Sequence, residues 1–203
     1  SDAELALACA SHNGEALHAD VVNRWLSRLD LSEQALACGA HWSLSESVAR
    51  TMAEKGDRPS DIHNNCSGKH TGFLALSRFH GFDSKDYLHP SHLLQTRYIT
   101  PAIEDFCRVS LLKETPAIDG CGIPVWSISI TALATGWAQM HNRGSGRKLL
   151  QAMIDRPFLI AGTNRACTAL MVQSAGRAAV KTGAEGVFCG VEIESGHAFA
   201  LKA

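Results

Sequence analysis

The sequence predicts an α+β fold in which helices pack with an antiparallel sheet. Three observations support it. Helical periodicity recurs through most of the chain, a β-favouring run follows a glycine-rich turn at 119–124, and three strand-like segments joined by glycine-containing turns lie at the C-terminal end. With 203 residues, 45% of them hydrophobic, the chain is read as a single domain spanning 1–203 around one core.

Taken in order, Val21, Val22, Trp25, Leu26 and Leu29 mark a first amphipathic helix. A second runs from Ser45 to Lys55, with Ser45 as its cap and Gly56 at its end. Residues 57–65 read as a loop leading into Cys66-Ser67-Gly68-Lys69-His70. The apolar run Phe73, Leu74, Leu76, Phe79 continues it as a helix, with Ser67 the expected cap and Gly81 the stop. The pattern from Ser91 to Val109 is helical but contains Pro101, which should kink or divide it. Asp119 to Pro124 forms a turn, and Val125 to Ile130 alternates as a strand should. Helices are expected at 131–141, 147–155 and 164–174, then strands at 178–181, 186–193 and 197–201. An apolar run lies near the first residue and a strand pattern reaches the last, so the chain reads as an N- and C-terminally truncated portion of a longer domain.

Nineteen Lys and Arg balance twenty Asp and Glu, which leaves no electrostatic footprint for nucleic acid or an anionic membrane surface. No apolar stretch reaches the roughly 18 to 20 residues of a membrane span, and Ser1 to Ala10 lacks a basic export signal. A cytoplasmic protein is expected. Seven cysteines, an odd number in a chain with enough apolar residues to fold unaided, argue against a disulfide framework and for mostly buried thiols.

Cys66-x-x-Lys69, followed at a distance by Cys121, is the sharpest local signal. A thiol at a helix N-terminus is acidified by the oriented N–H groups, which would make Cys66 a nucleophile or a ligand. Two thiolates begin a zinc site, and three protein ligands plus water complete an open one. Lysine is an uncommon ligand because it must lose its proton, and two buried thiols beside a surface lysine fit the spacing as well. Gly68-Lys69 is no phosphate-binding loop, since His63 stands where that motif needs glycine and His70 where it needs Ser or Thr. Ser11-His12-Asn13-Gly14-Glu15 is a polar turn that can present a hydroxyl or simply bond its own backbone. Lys181-Thr182-Gly183 matches one element of the serine β-lactamase pattern, whose Ser-x-x-Lys element occurs only as Ser145-Gly146-Arg147-Lys148 in a glycine-rich loop.

Four blocks in order resemble the asparaginase II family, the rhizobial-type zinc-containing L-asparaginases. They are Ala8-Cys9-Ala10-Ser11-His12-Asn13-Gly14-Glu15, His63-Asn64-Asn65-Cys66-Ser67-Gly68-Lys69-His70, Asp119-Gly120-Cys121-Gly122-Ile123-Pro124 and Lys181-Thr182-Gly183-Ala184-Glu185-Gly186. The resemblance implies a serine β-lactamase/glutaminase-like fold, hydrolysis of L-asparagine to L-aspartate and ammonia, and a homodimer. It further implies zinc held by Cys66, Lys69 and Cys121, a catalytic Ser11–Lys181 pair, and Asn64, His70, Asp119 and Gly120 around the substrate and metal. The family's other Ser-Lys pair comes from an Arg-Ser-x-x-Lys-Pro segment ahead of the first block, and no such segment precedes Ser1.

Amide hydrolysis needs an activated hydroxyl, a base and donors for the oxyanion, and Ser11 with a desolvated Lys181 would supply the first two. Two other readings remain at this level. One is a catalytically silent, zinc-stabilised structural or partner-binding module. The other is a cysteine hydrolase using Cys66 with His70.

Overall fold

The computed structural model describes residues 1–203 and has nine α-helices and two small antiparallel sheets. Helix α1 (Asp2–Ala8) is short but central, packing against α2 (Ala16–Arg28), α4 (Ser67–His80), α7 (Gly144–Asp155) and α8 (Pro157–Ile160). Its Ala6 and Leu7 are fully buried, so the segment leaving its C-terminus starts from a fixed point in the core. Helix α3 (Glu46–Glu54) follows Ser45 and gives way to the left-handed Gly56 as expected.

Helix α4 buries Ser67, Gly68, His70, Thr71, Leu74 and Ser77, one face at helical spacing, and ends on Gly81 in the left-handed region. Its cap is Cys66 rather than Ser67. The Ser67 hydroxyl is drawn inward instead, donating to Ile62 O at 2.9 Å and lying 3.2 Å from His12 Nε2. A Cβ on Gly68 would lie 2.5 Å from Leu7 Cγ and closer still to Leu7 O, so only glycine lets α4 approach α1 this closely.

Pro101 divides its segment as anticipated. A single wide turn at Gln95–Ile99 precedes α5 (Thr100–Cys107), which places the proline in the first turn, where its missing N–H costs nothing. The expected strand at 125–130 is much shorter. Strand β2 (Pro124–Val125) has only β1 (Ala117–Ile118) to pair with, and Ser129 then caps α6 (Ile130–Asn142) by accepting from Ala132 N. Helix α9 (Ala166–Gln173) starts later than 164 because Asn164 adopts a left-handed backbone.

The main sheet has order β3 (Ala178–Thr182), β4 (Val187–Glu192), β5 (Ala198–Lys202), each pair antiparallel, matching the three expected C-terminal strands. Helix α6 packs against β4 and β5, and α7 and α9 pack against β3. One core cluster joins α1, α2, α4, α7, α8 and α9 to β3 and β4. All seven cysteines are free. No helix is long and apolar enough to cross a membrane.

Replacing Gly68 with Ala should destabilise the fold by about 2–4 kcal/mol, because the clash is with backbone and a packed leucine. Denaturant unfolding checks this, and an unchanged midpoint would show that α1 and α4 can separate at little cost.

Candidate active site

Four chain segments meet at a cleft of about 730 Å³, a volume suited to a small molecule. They are the exit of α1, the 64–69 stretch entering α4, the 119–121 turn between β1 and β2, and the end of β3. Of the nine residues marked in the sequence, eight line this cleft: Ser11, Asn64, Cys66, Lys69, Asp119, Gly120, Cys121 and Lys181. The ninth, His70, is fully buried beneath it. Ser145 of the stray Ser-x-x-Lys stretch is exposed on α7, away from the cleft.

The segment carrying Ser11 is held along its length by backbone hydrogen bonds. Ser11 N donates to Ile160 O and Asn13 N to Ala161 O, at 3.0 and 2.8 Å, while His12 N donates to Asn65 O at 3.1 Å. His12 is fully buried; its Nδ1 accepts from Gly14 N, so Nε2 carries the proton that points to Ser67 Oγ. Burial, followed by the nearby His18 and other cationic groups, pushes its pKa well below the usual imidazole value, so the ring stays neutral. Gly14 closes the turn at φ +68°, where a Cβ would sit 2.9 Å from His63 C and closer still to its oxygen.

The Ser11 hydroxyl accepts from Asn65 Nδ2 at 3.1 Å. Asn65 is oriented through its backbone N–H, which donates to His41 Nε2 at 2.9 Å, while His41 Nδ1 donates to Trp42 O at 2.6 Å. Lys181 Nζ donates to Thr182 O at 3.0 Å, and no hydrogen bond joins it to Ser11. The lysine stands among sulfurs, with Cys9, Cys66 and Cys167 close enough to affect it. Burial pushes the Cys9 thiol up to about 11, and burial likewise raises Cys167, so these neighbours are neutral. Desolvation, reinforced by the Lys69 charge, lowers the Lys181 pKa from its ordinary 10.5.

Cys66, Lys69 and Cys121 do come together. Lys69 Nζ donates to Cys121 Sγ at 3.3 Å, and Cys66 lies close enough to that sulfur for each to shift the other's pKa. The pair shares one proton. Cys121 is the acidified member, its pKa lowered first by Cys66 and then by His70 and Lys69, whereas Cys66 is raised by that contact and by burial. Helix position alone pointed to Cys66 as the acidic thiol; the Cys121 contact overrides it. Burial pulls the Lys69 pKa down, but Cys66, Cys121 and Asp119 outweigh it and raise the value.

His70 supports this cluster from below, its Nδ1 at 2.7 Å from Tyr87 Oη and its Nε2 without a hydrogen-bond partner on the Cys121 side. Cys66, protonated and turned toward Cys121, lacks the His70 contact that a cysteine hydrolase would need. Asn64 commits its whole amide to structure. Nδ2 donates to Cys38 O and Gly39 O at 2.8 and 2.7 Å, and Oδ1 accepts from Cys66 N at 2.8 Å. Asp119 Oδ1 accepts from Gly120 N at 2.7 Å, and Oδ2 lies 3.8 Å from Cys121 Sγ.

A family model described as L-asparaginase II matches residues 1–203, the full length given. The chain belongs to the L-asparaginase II family. A comparison with curated proteins returned no match. Membership makes an amidohydrolase of the asparaginase type, acting on a small molecule, the reference for the cleft.

In this family member, nowhere do three or more His, Cys, Asp or Glu side chains gather so as to hold an ion. A metal at the cysteine pair therefore depends on Lys69 as its third donor. The donor set fits an ion once Lys69 gives up its proton: two converging sulfurs, one of them acidified, the Lys69 nitrogen at 3.3 Å from it, and an unpartnered buried imidazole nitrogen behind them. The sequence reading missed Asn65, His41 and Arg165, which also line the cleft. Asn65 sits inside a recognised block and is separable from Asn64 only by where each amide points; His41 and Arg165 carry no local signal.

Asn64→Ala removes three hydrogen bonds that hold the Cys66 turn against the 38–39 loop. A loss of about 2–4 kcal/mol, or a melting point lower by roughly 5–12 °C for a chain of this size, is expected in calorimetry. A shift under a degree would mean that the turn is held elsewhere.

Proposed function

We propose that this chain is an L-asparaginase, hydrolysing L-asparagine to L-aspartate and ammonia at Ser11, with Lys181 as the proton carrier. The supporting observation is the pairing, in one cleft, of an Asn65-oriented hydroxyl with a lysine desolvated among neutral thiols. The sheet with its flanking helices is read as part of a serine β-lactamase-like arrangement, a reading that rests on the family resemblance and on the Lys-Thr-Gly end of β3.

In this reaction Ser11 Oγ attacks the side-chain amide carbon, and neutral Lys181 accepts its proton. Nζ must leave Thr182 O to do so, a small movement of a flexible side chain; hydrogen bonds of this kind tighten when substrate arrives. The resulting ammonium returns its proton to the departing ammonia, and water then cleaves the acyl-enzyme by the same route. Asn65 Nδ2 fixes the Ser11 lone pair that is not used for attack. Cys66, Lys69 and Cys121 would hold zinc, each in its deprotonated form, and when bound the ion would supply Lewis acidity at the cleft wall. Half-buried Asp119 and exposed Gly120, at the 119–121 turn, are assigned to substrate contact. The roles of Asn64 and His70 are assigned as holding Cys66 and Cys121 in place.

The separation of Ser11 from Lys181 also fits a zinc-stabilised module without activity, and turnover distinguishes the two. The chain should release ammonia from L-asparagine, and Ser11→Ala should lower the rate about a thousandfold or more with folding intact by circular dichroism. Absence of turnover in the unmutated protein favours the silent module, and undiminished turnover in the variant removes Ser11 from the mechanism.

The pH dependence follows from Lys181. Its pKa is lowered by burial and Lys69, partly offset by the cysteines around it, and only the neutral amine accepts a proton. The kcat/KM value should therefore rise with pH along a limb whose midpoint lies below 10.5, the ordinary lysine value. Lys181→Arg, which cannot deprotonate, should abolish activity. A pH-rate profile with that limb unchanged in Lys181→Ala would assign it to another group.

A further inference from the structure

The cleft contains one cation that neither the proposed chemistry nor the cysteine cluster uses. Arg165 lines it from the loop between α8 and α9. The other two cations there are otherwise engaged: Lys69 faces the Cys66–Cys121 pair and Lys181 serves as the base. Asp119 is the only carboxylate at the cleft wall. Arg165 forms none of the six ion pairs in the molecule. Glu15, which holds the same Asn13 amide, is committed elsewhere, its Oε1 accepting from Thr163 N and Asn13 Nδ2 and its Oε2 from Thr163 Oγ.

What holds Arg165 is a neutral group. Its Nη1 donates to Asn13 Oδ1 at 2.7 Å. The Asn13 amide is fixed in that orientation because Nδ2 donates to Glu15 Oε1 and Thr163 O, both at 3.1 Å. Gly162 lets the loop close over this network, since a Cβ there would meet Asn13 Nδ2 at 3.0 Å and Glu15 Oε1 closer still. A guanidinium held by one N–H, with no anion beside it and four N–H donors left, is preorganised for a carboxylate, which its planar fork matches in bidentate fashion.

Distance along the chain sets the scale. Asn13 is two residues from Ser11, at most about 7 Å between α-carbons, and Arg165 and Ser11 line the same cleft. We infer that Arg165 is the specificity-determining residue that binds the α-carboxylate of the substrate while its side-chain amide is presented to Ser11, a step that rests on the asparaginase reading above. Asn13 and Glu15 act through it as positioning residues, which gives the Ser11-His12-Asn13-Gly14-Glu15 block a second role beside presenting the hydroxyl.

The test compares L-asparagine with 3-aminopropanamide, which keeps the amide and the amine and lacks the carboxylate. Arg165→Gln should lower kcat/KM for L-asparagine about a hundredfold or more, chiefly through KM, and change that for 3-aminopropanamide less than threefold. Arg165→Lys should recover part of the loss and guards against a folding defect, which thermal melting also monitors. Equal losses on both amides, or none on either, would overturn the inference. Calorimetric titration with L-aspartate separates it from the functional reading. If the unmutated chain binds aspartate without hydrolysing asparagine, the asparaginase reading falls, and Arg165 is judged by whether Arg165→Gln loses aspartate binding. If the unmutated chain neither turns over nor binds, both fall.

Discussion

Lys69 Nζ meets Cys121 Sγ at 3.3 Å in the half-buried wall of the cleft, and the cleft depends on that contact. An ammonium and a thiolate each carry a heavy desolvation cost when buried alone. Placed together, with Cys66 beside the same sulfur, they stabilise one another and pin the 119–121 turn to the first turn of α4. The buried His70 and Tyr87 support the pair from beneath, and Asn64 fixes the backbone of Cys66. Remove either charge and the other is left unpaired in a low-dielectric place, which is the costlier half of any such bond.

The same charge reaches the proposed chemistry. Lys69 is one of the groups that lower the Lys181 pKa, second only to burial, so the cluster helps keep a proton acceptor available some distance away. A divalent ion bound there would replace the Cys66 and Lys69 protons, leaving the net charge of the cluster unchanged. On this view the cysteine pair and the Ser11 segment are one electrostatic unit, bridged by the hydrogen-bonded run from Asn65 to Ser11.

Much of the fold could be read from the sequence where periodicity was long or turn chemistry was specific. Helix α4 ended on Gly81 and α3 on Gly56 because no other residue adopts those backbones so readily, and the three C-terminal strands stood out between their glycine turns. The failures have local causes. The alternation at 125–130 had no partner strand to pair with, and the cap of α4 moved from Ser67 to Cys66 because buried His12 and Ile62 O claimed the serine hydroxyl. At the site, residue types and blocks located the three cysteine-cluster members and Ser11. They did not reveal which sulfur carries the charge, that the Asn64 amide is wholly structural, or that Arg165 faces the cleft, because each of these depends on contacts made across the fold.

The most direct test is X-ray absorption at the zinc edge on the unmutated protein after zinc loading and removal of excess metal. A site built from Cys66, Lys69 and Cys121 should show two sulfur neighbours near 2.3 Å together with nitrogen or oxygen donors near 2.0–2.1 Å, and Lys69→Met should disturb it while leaving both sulfurs in the sequence. Failure of the loaded protein to retain zinc, or a retained ion with no sulfur in its shell, would contradict the central role given to the cysteine–lysine cluster.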